Sequence, residues 1–156
     1  QWGLSPIHFQ KEYYQEVMKE NVNLLITWLF RSGTEAGKAQ PRGRITDVLS
    51  FIHNNYYKDI TIEELAGIAN VTPFHLCREF KKFTDSTIIQ YLNTLRVLHA
   101  KRMFLETDKN MTEIAFATGF SNSTHFSRVF RQISGQSPLE AKKQLRRTGD
   151  ARHRVQ

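Results

Sequence analysis

The sequence has one cysteine and four prolines in 156 residues, and no apolar run long enough to cross a bilayer. The lone thiol, Cys77, excludes an internal disulfide and any multi-cysteine metal site, and it fits a reducing cytoplasm. The longest apolar stretch, Leu24 to Phe30, falls far short of the ~20 residues of a spanning helix. The amino-terminal residues lack the pattern of a secretory signal. There is no Gly-rich phosphate loop and no Ser/His/Asp set. The six histidines (His8, His53, His75, His99, His125 and His153) show no metal spacing, such as two on one helical turn with an acidic partner. These gaps leave an enzyme reading without residues and call for no metal or cofactor. No segment alternates with a two-residue period, so the expected fold is all-α, without a sheet.

What is present is a repeat. Residues 61–83 and 110–133 are two versions of one unit: a short helix, a tight turn, then a longer basic helix. Glu64-Leu65-Ala66 recurs as Glu113-Ile114-Ala115, and Arg78, Phe80 and Lys81 recur as Arg128, Phe130 and Arg131. The formal charge of +7 is concentrated in the same region. Residues 72–147 hold 13 Lys/Arg against 6 Asp/Glu, whereas residues 1–71 hold 7 against 8. A positive field that begins with the first longer helix is expected of a surface that binds a polyanion.

Residues 1–31 carry one amphipathic helical pattern, with Phe9, Tyr13, Val17, Leu24 and Trp28 at steps of four or seven and Asn21 interrupting the stripe. A helix this apolar needs a partner. It is read as the end of a missing effector or dimerisation domain, or as a self-association helix, and a first residue of Gln1 fits a piece of a longer protein. Residues 32–43, rich in Gly and small polar residues, form a linker. Residues 44–147 form the double helix-turn-helix, and 148–156 a basic tail. A first helix runs from about Arg44 to Asn55. Thr61 with Glu64, Asn110 with Glu113 and Ser137 with Glu140 have the spacing of capping boxes. Thr72 caps a helix that opens on Pro73. Asn70 and Gly119 fall where each turn needs a left-handed backbone. Ile88 to Leu105 reads as one long helix, with Ile88, Tyr91, Leu92, Leu95, Leu98 and Met103 near one face, holding the two units at a fixed separation.

In the two longer helices Leu76, Phe80 and Phe83, and Phe126, Phe130 and Ile133, form core stripes. The faces left free carry Phe74, Cys77 and Arg78 in one copy and Ser123, Thr124, Ser127 and Arg128 in the other. A helix fits the major groove, where Arg pairs with guanine and small hydroxyl residues meet base edges. Phe74 is either core or an apolar contact for a thymine methyl. Lys81, Lys82 and Arg131, with Thr72, Ser121 and Asn122 at the helix starts, suit phosphates. For His75 and His125, beside the core phenylalanines, a structural role or a phosphate contact is expected.

Ile114-Ala115, Gly119-Phe120-Ser121, Phe126-Ser127-Arg128, Phe130 and Gly135-x-Ser137-Pro138 closely resemble the signature of AraC/XylS-type transcription regulators. Thr61 to Ala66, Arg78 to Lys82, Tyr91-Leu92 and Arg96 with Ala100-Lys101 are similar to that family's first half. The resemblance spans roughly residues 44–141. It implies a seven-helix domain in which two helix-turn-helix units, joined by a long helix, place recognition helices in successive major grooves of double-stranded DNA. It also implies contact with RNA polymerase, and an upstream domain that senses a small-molecule effector and dimerises. Two departures stand out. Asp85 occupies a position where the family usually has Gly, which predicts a strained or reshaped turn. Ala141-Lys142 replaces a Tyr-Arg pair, which predicts a last helix that departs from the family's pattern. The Ser and Thr of the second recognition helix predict weaker reading there.

The leading expectation is therefore a sequence-specific transcription activator. A DNA-repair methyl acceptor would use Cys77, although the neighbouring motif of such proteins is missing. A third alternative is a module whose helices bind polymerase instead of DNA.

Overall fold

The computed structural model describes the backbone of residues 41–153 and the side chains of residues 43–147. The helix expected within 1–31, and linker residues 32–40, lie outside the described residues. Seven helices follow among those described: α1 (Pro41–Asn55), α2 (Ile62–Ala69), α3 (Pro73–Thr84), α4 (Ile88–Glu106), α5 (Met111–Ala117), α6 (Ser123–Ser134) and α7 (Pro138–His153). The described residues contain no strand, as the missing two-residue period predicts. α1 starts three residues inside the stretch assigned to the linker, because Pro41 suits a first helical turn. α7 continues into the stretch assigned to the tail, as far as His153.

The helix boundaries follow from caps. Asn110 and Glu113 form a complete capping box, the Asn side chain accepting from Glu113 N at 2.9 Å and the Glu carboxylate accepting from Asn110 N at 2.7 Å. Ser137 and Glu140 pair in the same way at α7. Thr87 and Gln90 close a further box at α4, beyond the three expected. The box expected at α2 forms only in part: the Thr61 hydroxyl accepts from Glu64 N at 3.1 Å, and no return bond from Glu64 completes it.

Two cores result. The first takes Ile45, Val48, Leu49 and Ile52 of α1, Leu65, Ala66 and Ala69 of α2, Leu76 and Phe80 of α3, and Ile88, Leu92 and Leu95 of α4. The second takes Val97, Ala100 and Phe104 of α4, Ile114 and Ala115 of α5, Phe120, Phe126, Val129 and Phe130 around α6, and Ala141 and Leu145 of α7. The single stripe expected along α4 is therefore corrected to two. At about 100° per residue, the stripe of Ile88, Leu92 and Leu95 and that of Val97, Ala100 and Phe104 lie roughly 150° apart around the helix axis. Leu98 and Met103 are only partly buried. One helix thus serves two cores on nearly opposite sides, and Arg96 occupies the seam.

The repeat extends beyond the helix-turn-helix units. Thr84 and Ser134 each bend their hydroxyl back on the helix they end, donating to Phe80 O at 2.9 Å and Phe130 O at 2.7 Å. Arg96 and Arg146 stand fifty residues apart, each after its own capping box. Each guanidinium donates to backbone carbonyls at the end of the first helix of its own unit: Tyr56 and Lys58 for Arg96, Phe104 and Thr107 for Arg146. The repeated unit is therefore four helices long, with α4 closing the first copy and opening the second.

Candidate nucleic-acid interface

In the first copy the turn is made by Asn70, left-handed at φ 51°, so α2 ends and α3 begins within three residues. The Thr72 hydroxyl accepts from His75 N at 3.3 Å and Pro73 takes the first helical position. Leu76 and Phe80 are wholly buried, and that anchors the roll of α3 about its own axis. Phe74, Cys77, Arg78 and Lys81 are consequently exposed on the other side, at i, i+3, i+4 and i+7, with Lys82 exposed beside them. The alternative left open for Phe74 is resolved: its ring is 78% exposed and is no part of the core. Phe83, expected in the core stripe, is instead 37% exposed and lies outside the core of the first unit.

The second copy repeats this geometry. Gly119 supplies the left-handed turn at φ 91°, and Asn122 caps α6 by accepting from His125 N at 2.7 Å. Phe126, Val129 and Phe130 are buried, whereas Ile133 is only half-buried against the same core. Thr124, Ser127, Arg128 and Arg131 are exposed on the far side, Ser123 is half-buried, and Ser121 and Asn122 are exposed at the helix start. Thr124, Ser127, Arg128 and Arg131 stand in α6 where Phe74, Cys77, Arg78 and Lys81 stand in α3.

Two features of this face were not legible in the sequence. In α3 the His75 ring bridges its neighbours: Arg78 Nη2 lies 3.5 Å from Nδ1, and Nε2 lies 3.1 Å from Glu79 Oε1. Accepting from Arg78 leaves the imidazole proton on Nε2, where it donates to the carboxylate. Arg78 is thereby tethered through one terminal nitrogen of its guanidinium. In α6 the corresponding His125 packs edge-on against Phe120, with ring centroids 5.7 Å apart, and Val129 replaces Glu79.

The turn after α3 keeps its ordinary shape despite Asp85. Asp85 is left-handed at φ 56°, as Gly135 is at φ 74° after α6, and each amide bonds back to the carbonyl four residues earlier. The departure from Gly is therefore accommodated by strain and not by a different turn. The last helix also forms as usual. Ala141 fills its place in the core, and Lys142 Nζ donates to Lys109 O at 2.7 Å.

The fold and this pair of outward faces define a double helix-turn-helix protein. The family described as "Helix-turn-helix domain" matches residues 65–144. The transcriptional activator RhaS of Yersinia pestis is 36% identical over 112 residues, which are 72% of this chain and 41% of RhaS. The bifunctional transcriptional activator/DNA repair enzyme AdaA of Bacillus subtilis is 33% identical over 91 residues, 58% of this chain and 43% of AdaA. Among solved structures, the DNA-binding domain of the global transcriptional factor AdpA, in complex with a target DNA, is 27% identical with a TM-score of 0.64. That likeness covers 67% of this chain and 94% of the AdpA domain. An AraC-type transcriptional regulator from Chromobacterium violaceum is 26% identical with a TM-score of 0.62, covering 67% of this chain and 93% of that one. The chain belongs to the AraC/XylS-type helix-turn-helix family. It spans about two fifths of the length of the curated relatives it matches.

Proposed function

We propose that residues 44–147 bind double-stranded DNA at a specific sequence, with α3 and α6 in successive major grooves, and that the whole protein is a transcription activator. The observation that supports this most directly is the matched pair of faces. Each of two equivalent helices buries its aromatic side and leaves an Arg, with small or apolar neighbours, pointing outward. In this reading Phe74, Cys77, Arg78, Ser123, Thr124, Ser127 and Arg128 meet base edges. Arg78 and Arg128 suit guanine, and Phe74 a thymine methyl. Thr72, Lys81, Lys82, Ser121, Asn122 and Arg131 meet phosphates. The capping hydroxyl of Thr72 accepts from within the helix, so its own proton remains to donate outward. Control by a small-molecule effector, dimerisation through the amino-terminal region, contact with RNA polymerase and a cytoplasmic location complete the reading, on the family's pattern.

The test is to select bound fragments from random genomic DNA and measure Arg78→Ala on the recovered site. A loss of ~1–3 kcal/mol on that site, with binding to random DNA little changed, is expected. Equal losses on both would remove Arg78 from base reading. An absence of any selected site would favour the alternative in which the helices bind polymerase. The similarity to AdaA keeps one enzymatic reading in view, with Cys77 as the methyl acceptor. The protein is proposed not to be an enzyme, and mass spectrometry after exposure to methylated DNA should find Cys77 unmodified.

A further inference from the structure

α4 alone is a single rod between the two units, about which either could twist. A second contact opposes that twist. Arg96, only 8% exposed, donates through Nε to Tyr56 O and through Nη2 to Lys58 O, both at 2.8 Å, and so grips the chain that follows α1. Its guanidinium also lies over the Phe120 ring, 5.6 Å from the centroid, and Phe120 belongs to the turn of the second helix-turn-helix. In that same turn a Cβ on Gly119 would come within 2.7 Å of Tyr56 O, 2.9 Å of Arg96 Nε and 3.0 Å of Tyr57 C. The second recognition turn therefore rests directly on the first unit's backbone, and only a residue without a side chain lets it approach so closely. Tyr56 is held from the other side as well, stacked on His99 of α4 with centroids 3.9 Å apart.

We propose that the Arg96–Gly119 contact is a positioning device that fixes the angle between the two recognition helices and so sets the half-site spacing the protein accepts on DNA. This rests on the two-groove reading above. Arg146 supplies an internal comparison. It makes the equivalent carbonyl bonds in the second unit, but among the described residues no helix-turn-helix turn rests on it. Losing Arg146 should weaken a unit, whereas losing Arg96 should also free one unit to rotate against the other.

The experiment uses the full chain and the selected duplex, together with versions lengthened or shortened by one base pair between the half-sites. Each base pair rotates one half-site about the DNA axis by roughly 36° and shifts it by ~3.4 Å. Wild type should lose about tenfold in affinity on either altered duplex, comparable to losing one base contact. Gly119→Ala and Arg96→Met should flatten that dependence or move its optimum. Arg146→Met, measured at a temperature where its fold is intact by circular dichroism, should keep the wild-type profile. If Gly119→Ala does not fold, Arg96→Met against Arg146→Met carries the comparison. A wild type that binds with a sharp spacing preference, and an Arg96→Met that keeps it or changes it no more than Arg146→Met does, would overturn the positioning role. A wild type that is indifferent to spacing would instead overturn the two-groove reading itself.

Discussion

Asp85→Gly should stabilise the protein, which is unusual for a single substitution. Asp85 holds a left-handed conformation at φ 56°, which is strained for a residue with a Cβ. That conformation costs roughly 1–2 kcal/mol for an L-residue, towards the lower end for Asp. Glycine removes the strain but returns about 0.4–1 kcal/mol of freedom to the unfolded chain. A second gain comes from charge. The carboxylate sits at the carboxyl end of α3, where the helix dipole is negative, and its removal is worth about 0.3–1 kcal/mol at low salt. The sum is a gain of about 0.5–1 kcal/mol. Asp85→Asn separates the contributions, since it keeps the strain and loses the charge, and its smaller gain should fade in high salt. Gly135→Asp is the converse. Nothing lies within 4 Å of a Cβ there, so its destabilisation would report the left-handed strain together with the carboxylate's charge at the end of α6, with no steric clash. Urea denaturation by circular dichroism measures all three. An Asp85→Gly no more stable than wild type, beside a Gly135→Asp that loses nothing, would refute the strain argument.

Other consequences can be measured in the same way. Burial lowers the pKa of His53 from its ordinary 6.5, and burial followed by the Arg102 charge lowers that of His99. The unfolded chain therefore binds these protons more readily, so stability should be full above pH ~6.5 and fall as the pH drops below it. His99→Phe, which keeps a ring against Tyr56, should flatten that slope, and an unchanged slope would exclude His99 from it. Phe126→Ala should cost ~3–5 kcal/mol by emptying a wholly buried site, and Phe83→Ala clearly less, because its ring is 37% exposed. Glu113→Ala should cost about 1 kcal/mol by breaking a formed capping box, whereas Glu64→Ala loses no box bond; equal losses would contradict that difference.

The helices and their limits were legible because capping residues and Pro declare themselves locally: Thr72-Pro73, Asn110 with Glu113, Ser137-Pro138. The free faces were legible because each recognition helix has one narrow apolar stripe, so whatever lies opposite must point outward. α4 was less legible. A periodicity argument assumes one buried face, and Leu95 and Val97 belong to different cores on opposite sides. Phe83 keeps the spacing of the stripe and is still more than a third exposed, since spacing alone does not say which neighbours a helix meets. Arg96 and Arg146 match at fifty residues, but the partners they share in kind are backbone carbonyls, which leave no mark in a sequence; Arg146 adds the Asp108 carboxylate. The Gly119 contact was half visible. A left-handed turn was expected, while the nearness of Tyr56 O depends on how two separate units meet.

Guanine N7 methylation interference, with the full chain on its selected duplex, tests the paired recognition helices most directly, since N7 lies open in the major groove. Two clusters of interfering guanines about ten base pairs apart, on one face of the duplex, are expected, with Arg78→Ala erasing a position in one cluster and Arg128→Ala in the other. A single cluster, or two clusters on opposite faces, would contradict paired major-groove reading by α3 and α6.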